Sequence, residues 1–530
     1  MSIGRSSATI AAGTLASRVT GLLRSLVLVS ALGATGQAAD AFTIANQLPN
    51  YVFQVISTGV LTAVFVPQIV KWSQAEDGGQ RLISKLFTLA TVVLLGVTAI
   101  SVAAAPLLVD LLTNYKSQAQ YDLSVAFAYW CLPQVFFYGM FALMGETLNA
   151  RRIFAPYAWA PIANNLVSIA GFGLFMWLFG SERGSLEGWD TGMILVISLT
   201  ATIGIVSQMA VLALFWRKTG LKLRPDFGWR GFGLGEIRNL AGWSVGMLLV
   251  GMVVSFVQQN IITTASGDDA SSTVWFNSWL VFMLPYSLIV MSIGTPYFTQ
   301  LSEHAHAGRH DDVRADIGRS MRVLGLLVVI AAATVIAAAF PLARVFANSH
   351  DQAAAMGPVL TAFVAALVPM AALFIIQRTF YAYGDTRTPF FFTVFQAALA
   401  IGGALLAGQL FATDALTSGV ALMQSVSSTL QLVLAWVLLQ RRIGSLEFGR
   451  TLLAYLRYTA AAIPAGFAGL IVYLLAGGPD GWMAMSKWGG FAGCLVIGVV
   501  CVVIYVGILA LMRSPELKAI VALARGRLGR

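Results

Sequence analysis

Long apolar runs constrain this chain more than any other feature. Stretches of about twenty residues with few charges recur from the first residues to beyond position 510. A run of that length is what an α-helix needs to cross a bilayer. Inside hydrocarbon every backbone N–H and C=O must be paired within the protein, so only helices and closed barrels can span it. The runs are continuous and do not alternate every second residue, which argues against a barrel. Charged residues make up 11% of the chain, against about 25% in soluble domains. The expectation is an all-α polytopic membrane protein. Its fourteen spans fall near 8–32, 40–71, 85–112, 123–149, 155–180, 192–216, 236–264, 272–301, 320–346, 357–383, 389–411, 416–440, 457–477 and 488–512. No small-residue cleavage site follows a short apolar core at the start, so no removable signal peptide is expected.

The net charge of +10 would raise the question of nucleic acid in a soluble protein. Here the basic residues fall between spans and nucleic acid is not expected. One set of loops carries Lys71, Arg81 and Lys85, then Arg151 and Arg152, then Arg217 to Arg230, Arg309 to Arg319, Arg378 with Arg387, and Arg441 to Arg450. The alternate loops carry mostly acids: Asp40, Asp122, Glu182, Glu187, Asp190, Asp268, Asp269, Asp351, Asp414 and Asp480. The positive-inside rule then puts both termini in the cytoplasm. Cys131, Cys494 and Cys501 lie inside spans without metal-ligand spacing, and free thiols are expected there. His304, His306 and His310 belong to a solvated loop of mixed charge, with nothing to complete a metal site. No cofactor motif, phosphate loop or hydrolase signature is present, which makes an enzyme an unlikely class for this chain.

An internal repeat organises the spans. Leu48-Pro49-Asn50-Tyr51, followed by Gly59, is echoed by Leu284-Pro285-Tyr286-Ser287 and Gly294. The turn from Leu148 to Pro156 is echoed by that from Phe380 to Pro389, at a similar offset of about 235 residues. Six spans separate the copies. An even number gives both halves the same topology, a parallel repeat about an axis along the membrane normal. The expected domains are an N-terminal lobe over 1–230 (spans one to six) and a second lobe over 231–450 (spans seven to twelve). Two further helices and a basic tail occupy 451–530.

Arg18 and Arg24 interrupt the first span. Arginine is costly at mid-membrane and there faces a bundle interior or a wet cavity. Thr14, Ser17, Arg18, Gly21, Arg24 and Ser25 are read as one polar face, opposite Leu15, Val19, Leu22, Leu23 and Leu26. The two guanidinium groups stand about 9 Å apart along the axis, a spacing suited to one extended anion such as a diphosphate. The alternative is structural: each arginine pairs with a carboxylate or with helix-end carbonyls and locks the bundle. Asp40 opens span two and reads either as a helix cap or as a gate that pairs with an arginine in one conformation. Pro49, Pro67, Pro285 and Pro296 are candidate hinges. Glu146 reads as a partner of Arg151 or Arg152. Arg378, Asp385, Thr386, Arg387 and Pro389 read as a structural motif that locks a tight cytoplasmic turn.

Ser17-Arg18-Val19-x-Gly21-x-x-Arg24, Ala39-Asp40-Ala41-Phe42, Leu48-Pro49-Asn50, Gly59 and Phe65-Val66-Pro67 resemble the opening of the MurJ (MviN) lipid II flippases. Phe380-Tyr381-Ala382-x-x-Asp385-Thr386-Arg387-Thr388-Pro389 resembles that family's signature after span ten. The family belongs to the multidrug/oligosaccharidyl-lipid/polysaccharide exporter superfamily. The resemblance implies fourteen helices, two lobes about a central cavity, and a hydrophobic groove from the last two spans. It implies a substrate carried on undecaprenyl diphosphate and moved outward across the bacterial cytoplasmic membrane for peptidoglycan synthesis. Arg18, Arg24 and Asp40 match residues the family needs for transport. Membrane lipids are implied partners, cell-wall synthesis proteins are the class any protein partner would come from, and a monomer is expected. The chain also departs from the pattern. Ser25 replaces a common acid, and Phe53, Gln54 and Thr58 replace a basic pair and an acid. Leu280 stands where the family has a span-eight arginine, and span eleven lacks the Asn/Asp pair of the sodium-binding members. Two readings follow. Arg18 and Arg24 hold the diphosphate with neutral donors drawn from Ser17, Ser25, Gln54, Gln258, Gln259 and Asn260, or the chain carries a different lipid-linked substrate or exchanges a small molecule for a cation.

Overall fold

The computed structural model describes residues 3–57, 79–228, 242–267 and 269–518. The readings for Thr58, Gly59, Phe65-Val66-Pro67, Lys71, Arg230 and Asp268, and for the tail beyond Lys518, lie outside the described residues. Among the described residues, thirteen helices are long and apolar enough to cross a membrane, and they coincide with expected spans one and three to fourteen. The second expected span is described as far as the helix Gln37–Ile56 and Ser57.

The chain divides into two compact units, Met1–Asp268 and Asp269–Arg530. In the first, α1 (Ile3–Leu32) and α2 (Gln37–Ile56) are followed by α3 (Gln80–Ala103), α4 (Ala105–Leu112), α5 (Gln118–Cys131), α6 (Gln134–Ala150), α7 (Ala155–Phe179), α8 (Thr191–Phe215) and α9 (Gly242–Ile262). Its core is small residues interleaved with rings. Ala31, Ala38, Ala41, Ala45 and Ala128 are fully buried and let backbones approach. Phe42 meets Phe127 and Phe172 edge-on at 5.4 and 6.4 Å. The seventh span, α9, packs here: Phe256 lies edge-on against Tyr51 at 5.5 Å, and Asn260 Nδ2 donates to the Thr113 carbonyl at 3.2 Å. The boundary between compact units therefore follows α9, where the sequence repeat divides the chain before it.

The second unit holds α10 (Ser272–Pro285), a π-helical turn (Tyr286–Met291), α11 (Ser292–His306), α12 (His310–Ala337), α13 (Ala339–Val345), α14 (His350–Val364), α15 (Leu367–Ala382), α16 (Arg387–Leu410), α17 (Thr413–Ile443), α18 (Phe448–Leu475) and α19 (Lys487–Leu511). Trp275, Trp279 and Phe282 cluster on Phe363. Tyr505 Oη donates to the Leu326 carbonyl at 2.8 Å and Tyr455 Oη to that of Met321 at 3.1 Å, tying the last two long helices to α12. The three cysteines are free.

Further local features of the first unit have counterparts in the second. The helix pair α3/α4 breaks at Ala104 (φ −90°), and α12/α13 breaks at Ala338 (φ −99°). Ser117 caps α5 by accepting from Gln120 N, and Ser349 caps α14 by accepting from Gln352 N. The turn after α6 closes with Ile153 N on the Leu148 carbonyl, and the turn after α15 with Asp385 N on the Phe380 carbonyl. Each turn carries a residue in the left-handed region, Arg152 (φ 61°) and Gly384 (φ 70°).

Two adjoining apolar cavities lie in the second unit, each about 430 Å³ and sharing Ala365 and Val368. One is lined by Val329, Ile336, Ile463, Phe467 and Leu470, the other by Pro369, Trp436, Phe448, Leu452 and Tyr455. A groove from the last two spans is expected; the cavities here run along α18, one of those two, against α12, α14, α15 and α17.

Candidate functional site

Helix α1 has three stripes, set by what each touches. Gly13 abuts the ring of Trp159, where an added Cβ would lie 2.8 Å from the indole. Asn165 Nδ2 donates to the Ser17 carbonyl at 3.0 Å and to Thr20 Oγ1 at 2.9 Å. Gly21 passes the same asparagine. This stripe is a helix seam against α7, the small-residue packing that membrane helices use. Leu15, Val19 and Leu23 are 51%, 51% and 47% exposed and form the lipid-facing stripe. Arg18 and Ser25, both half-buried, lie along a third direction.

The single polar face expected from the sequence is thus divided. The Ser17 carbonyl is spent on the seam. Six residues at 100° each rotate Arg24 about 120° from Arg18, while the helical rise separates them by about 9 Å. Arg24 is half-buried and within electrostatic reach of Tyr138 on α6. Tyr138 stacks on Phe53 at 5.6 Å with 24° between the planes. Phe53 thus packs on the ring that lies within electrostatic reach of the second arginine. No ion pair among the described residues includes Arg18 or Arg24. The alternative of a structural ion pair for these arginines has no support in this arrangement.

Deeper in the same unit lies a polar network that the sequence reading passed over. Gln134 Nε2 donates to Asn46 Oδ1 at 3.3 Å and to Thr202 Oγ1 at 3.2 Å, and Thr202 Oγ1 donates to the Trp130 carbonyl at 2.8 Å. Ser168 Oγ donates to Asn164 Oδ1 at 3.2 Å, and Gly204 leaves the room for both. Amides in apolar runs were the available signal. Gln54 is half-buried in α2.

Asp40 is fully buried in the first turn of α2, where a carboxylate favours the helix N-terminus. It accepts from Ser266 Oγ at 2.6 Å, and Ser266 Oγ accepts from Gln120 Nε2 at 2.6 Å. Gln120 also donates to the Gln37 carbonyl at 3.0 Å. Asp40 therefore joins α2, α5 and the segment after α9, and one of its partners here is Ser266. Beside it, the Tyr115 phenol is held well above its usual range by burial first and the Asp40 charge second. Asn260 is committed to Thr113, and Asn114 N donates to Thr263 Oγ1 at 2.9 Å. Gln258 and Gln259 are buried and partnered. These three amides thus sit in packed surroundings and not as open donors.

In the second unit the turn motif is bonded internally. Asp385 accepts from Thr388 N at 2.9 Å and Thr388 Oγ1 at 2.8 Å, and pairs with Arg442. Arg442 lies over the rings of Tyr383 and Phe380, and Arg387 over Phe391. Thr386 sits at the N-cap of α16 without a side-chain cap bond, and Pro389 falls in the first turn, where a proline is tolerated. Burial opposes ionisation of Asp385, but the Thr388 and Arg442 donors outweigh it and hold the carboxyl below its ordinary range. Arg378 is not part of this bonding, because Arg442 takes the carboxylate. Glu146 lies beside Asn149.

The family model of the lipid II flippase MurJ matches residues 28–487. A probable lipid II flippase MurJ of Rhizobium tropici is 26% identical over 491 residues, covering 89% of this chain and 87% of that protein. One from Synechocystis is 25% identical over 520 residues, covering 96% and 94%. A solved lipid II flippase MurJ in an inward closed conformation superposes with a TM-score of 0.73 at 18% identity, covering 94% of this chain and 98% of that one. An inward-facing multidrug transporter of the multidrug and toxic compound extrusion family superposes at 0.64 with 14% identity, covering 81% and 95%. These two structures share the fold. With a match that runs through both units, the chain belongs to the lipid II flippase MurJ family.

Proposed function

We propose that this chain moves a lipid-linked peptidoglycan precursor from the inner to the outer leaflet of the bacterial cytoplasmic membrane. It is read as a transporter and not an enzyme, with both termini in the cytoplasm. The observation that carries the reading is the pair of half-buried guanidinium groups on α1, neither with a carboxylate partner among the described residues. A cation left unpaired in a membrane helix is unfavourable unless an anion or water completes it. A diphosphate supplies two phosphates that suit the guanidinium fork. The polyprenyl tail stays in lipid, so only the head group must cross, and the apolar groove beside α18 is the surface suited to an acyl or prenyl chain. An inward-negative potential assists an outgoing anion by about 2.3 kcal/mol per charge per 100 mV.

Asp40 acts in this scheme as an outer latch. Alternating access needs contacts that hold one state and are given up in the other, and the Asp40–Ser266–Gln120 chain is of that kind. Conditional depletion of the protein, with lipid II assayed on each leaflet, tests the function. Cells rescued by the Arg18→Glu variant should accumulate lipid II on the inner leaflet at unchanged protein level. Normal flipping by that variant refutes the assignment.

Phe53 favours a second reading. A ring in place of a cation leaves a less charged lining, which suits another undecaprenyl-diphosphate-linked oligosaccharide. Depletion then enriches that lipid in place of lipid II.

A further inference from the structure

Arg378 stands apart from the other site residues of the second unit. It projects from α15 four residues before the helix ends, about 6 Å along the axis from the turn. Its guanidinium lies 5.2 Å from the centroid of Phe298 on α11 and 5.0 Å from that of Phe374 on its own helix. The cage is set by backbone proximity: a Cβ on Gly294 would come within 2.5 Å of the Phe374 ring, so α11 and α15 meet there. Tyr286 and Tyr381 are within electrostatic reach, and Gln377 Nε2 donates to Tyr381 Oη at 2.8 Å. Tyr286 begins the π-helical turn after Pro285, a distortion frequent at functional sites.

Five other arginines of this unit have carboxylate partners: Arg309 with Asp312, Arg314 with Asp311, Arg322 with Glu447 and Glu516, Arg442 with Asp385, and Arg450 with Glu447. Arg378 has none among the described residues. Rings that stack on the faces of a guanidinium stabilise the charge and leave its in-plane N–H groups to bond edge-on. The tyrosine hydroxyls add neutral donors. A planar, edge-presented cation near the end of a membrane helix matches a phosphate, which sits at that depth in a lipid.

We propose that Arg378, caged by Phe298 and Phe374 and flanked by Tyr286, is a lipid-phosphate recognition site in the second unit. It rests on the transport reading above, because the cargo phosphate is the ligand it would receive. Bulk phosphatidylglycerol presents the same chemistry. The test is native mass spectrometry of the full-length protein, titrated separately with undecaprenyl diphosphate and phosphatidylglycerol. Arg378→Gln, Arg378→Lys and Arg18→Glu are measured in parallel, and folding is checked by thermal denaturation. Arg378→Gln should weaken undecaprenyl diphosphate on the order of tenfold, the value of one charge-assisted contact, and Arg378→Lys by less. Loss restricted to phosphatidylglycerol supports the phosphate site and assigns it to bulk lipid. Unchanged binding of both lipids by a folded Arg378→Gln protein overturns the proposal. If Arg18→Glu alone loses affinity, the transport reading stands without this site; if neither variant loses affinity, both readings fall. Should Arg378→Gln not fold, unchanged binding by Arg378→Lys together with Phe298→Leu overturns it instead.

Discussion

The two units solve the same backbone problem with different chemistry. Both break a long helix at an alanine, both start the next long helix on a serine cap, and both close a tight turn with a left-handed residue. In the second unit that turn is held by Asp385, Thr388 and Arg442. In the first unit the position of Asp385 is taken by Ile153, and the N-cap Phe154 makes no side-chain cap bond. The second unit pairs Arg442 with Asp385 beside its turn, while among the described residues neither Arg18 nor Arg24 of α1 has a carboxylate partner. The contrast teaches that two turns of like geometry can be held by different chemistry, one by a carboxylate and its donors and the other without them.

The strongest way to break this comparison is charge reversal in each unit. Arg24→Glu should abolish transport, more than 100-fold on the scale of lost charge-assisted contacts, with thermal stability nearly unchanged. Arg442→Glu should instead lower stability, by roughly 2 kcal/mol from the lost pair and the new repulsion. Transport in cells and melting in detergent separate the two outcomes. If Arg24→Glu melts early and Arg442→Glu does not, the division is reversed.

Asp385→Ala is next in size. It removes an acceptor shared by Thr388 and Arg442 and should cost about 1–3 kcal/mol of stability. The same carboxylate gives a pH signature. Its folded-state pKa lies below its ordinary value, so its stabilisation is complete above the unfolded pKa of about 4 and is lost as pH falls through the lower folded value. Acid should therefore weaken the second turn, and the acid loss should vanish in Asp385→Ala. The first turn, with Ile153 at that place, has no such titration.

The serine caps sharpen the likeness. Ser117→Ala and Ser349→Ala should each cost about 1 kcal/mol, and by similar amounts. Very unequal losses would show that the caps are not equivalent. The smallest effect is Arg152→Gly. A left-handed residue without Cβ is relieved of strain, so this change should gain up to about 1 kcal/mol, while Gly384→Ala should lose about as much.

The thirteen described spans were legible in their order because hydrophobic length is a local property. The internal repeat was visible only where side chains recur, at Pro49 and Pro285 and in the two turns. Its fuller extent lay in Ser117 with Gln120 and Ser349 with Gln352, pairs that mean little until a helix begins there. The stripe on α1 was half readable. Leu15, Val19 and Leu23 declared the lipid side by period, but Ser17 could not declare Asn165 as its neighbour, because periodicity orients a residue without naming its partner. Gln258, Gln259 and Asn260 misled for the same reason: three consecutive amides suggest a wet lining, and here they are packed. Asp40 was legible as a site residue, yet its bond to Ser266 joins positions 226 apart.

The wide turn at Tyr286–Met291 holds one residue more than an α-helical turn would. Such a surplus can pass from turn to turn as a travelling dislocation, each neighbour exchanging one hydrogen bond for another. Each residue that the surplus passes turns by about 100° about the rod, while the two ends keep their mutual orientation. A helix so built can re-aim side chains in its middle without melting.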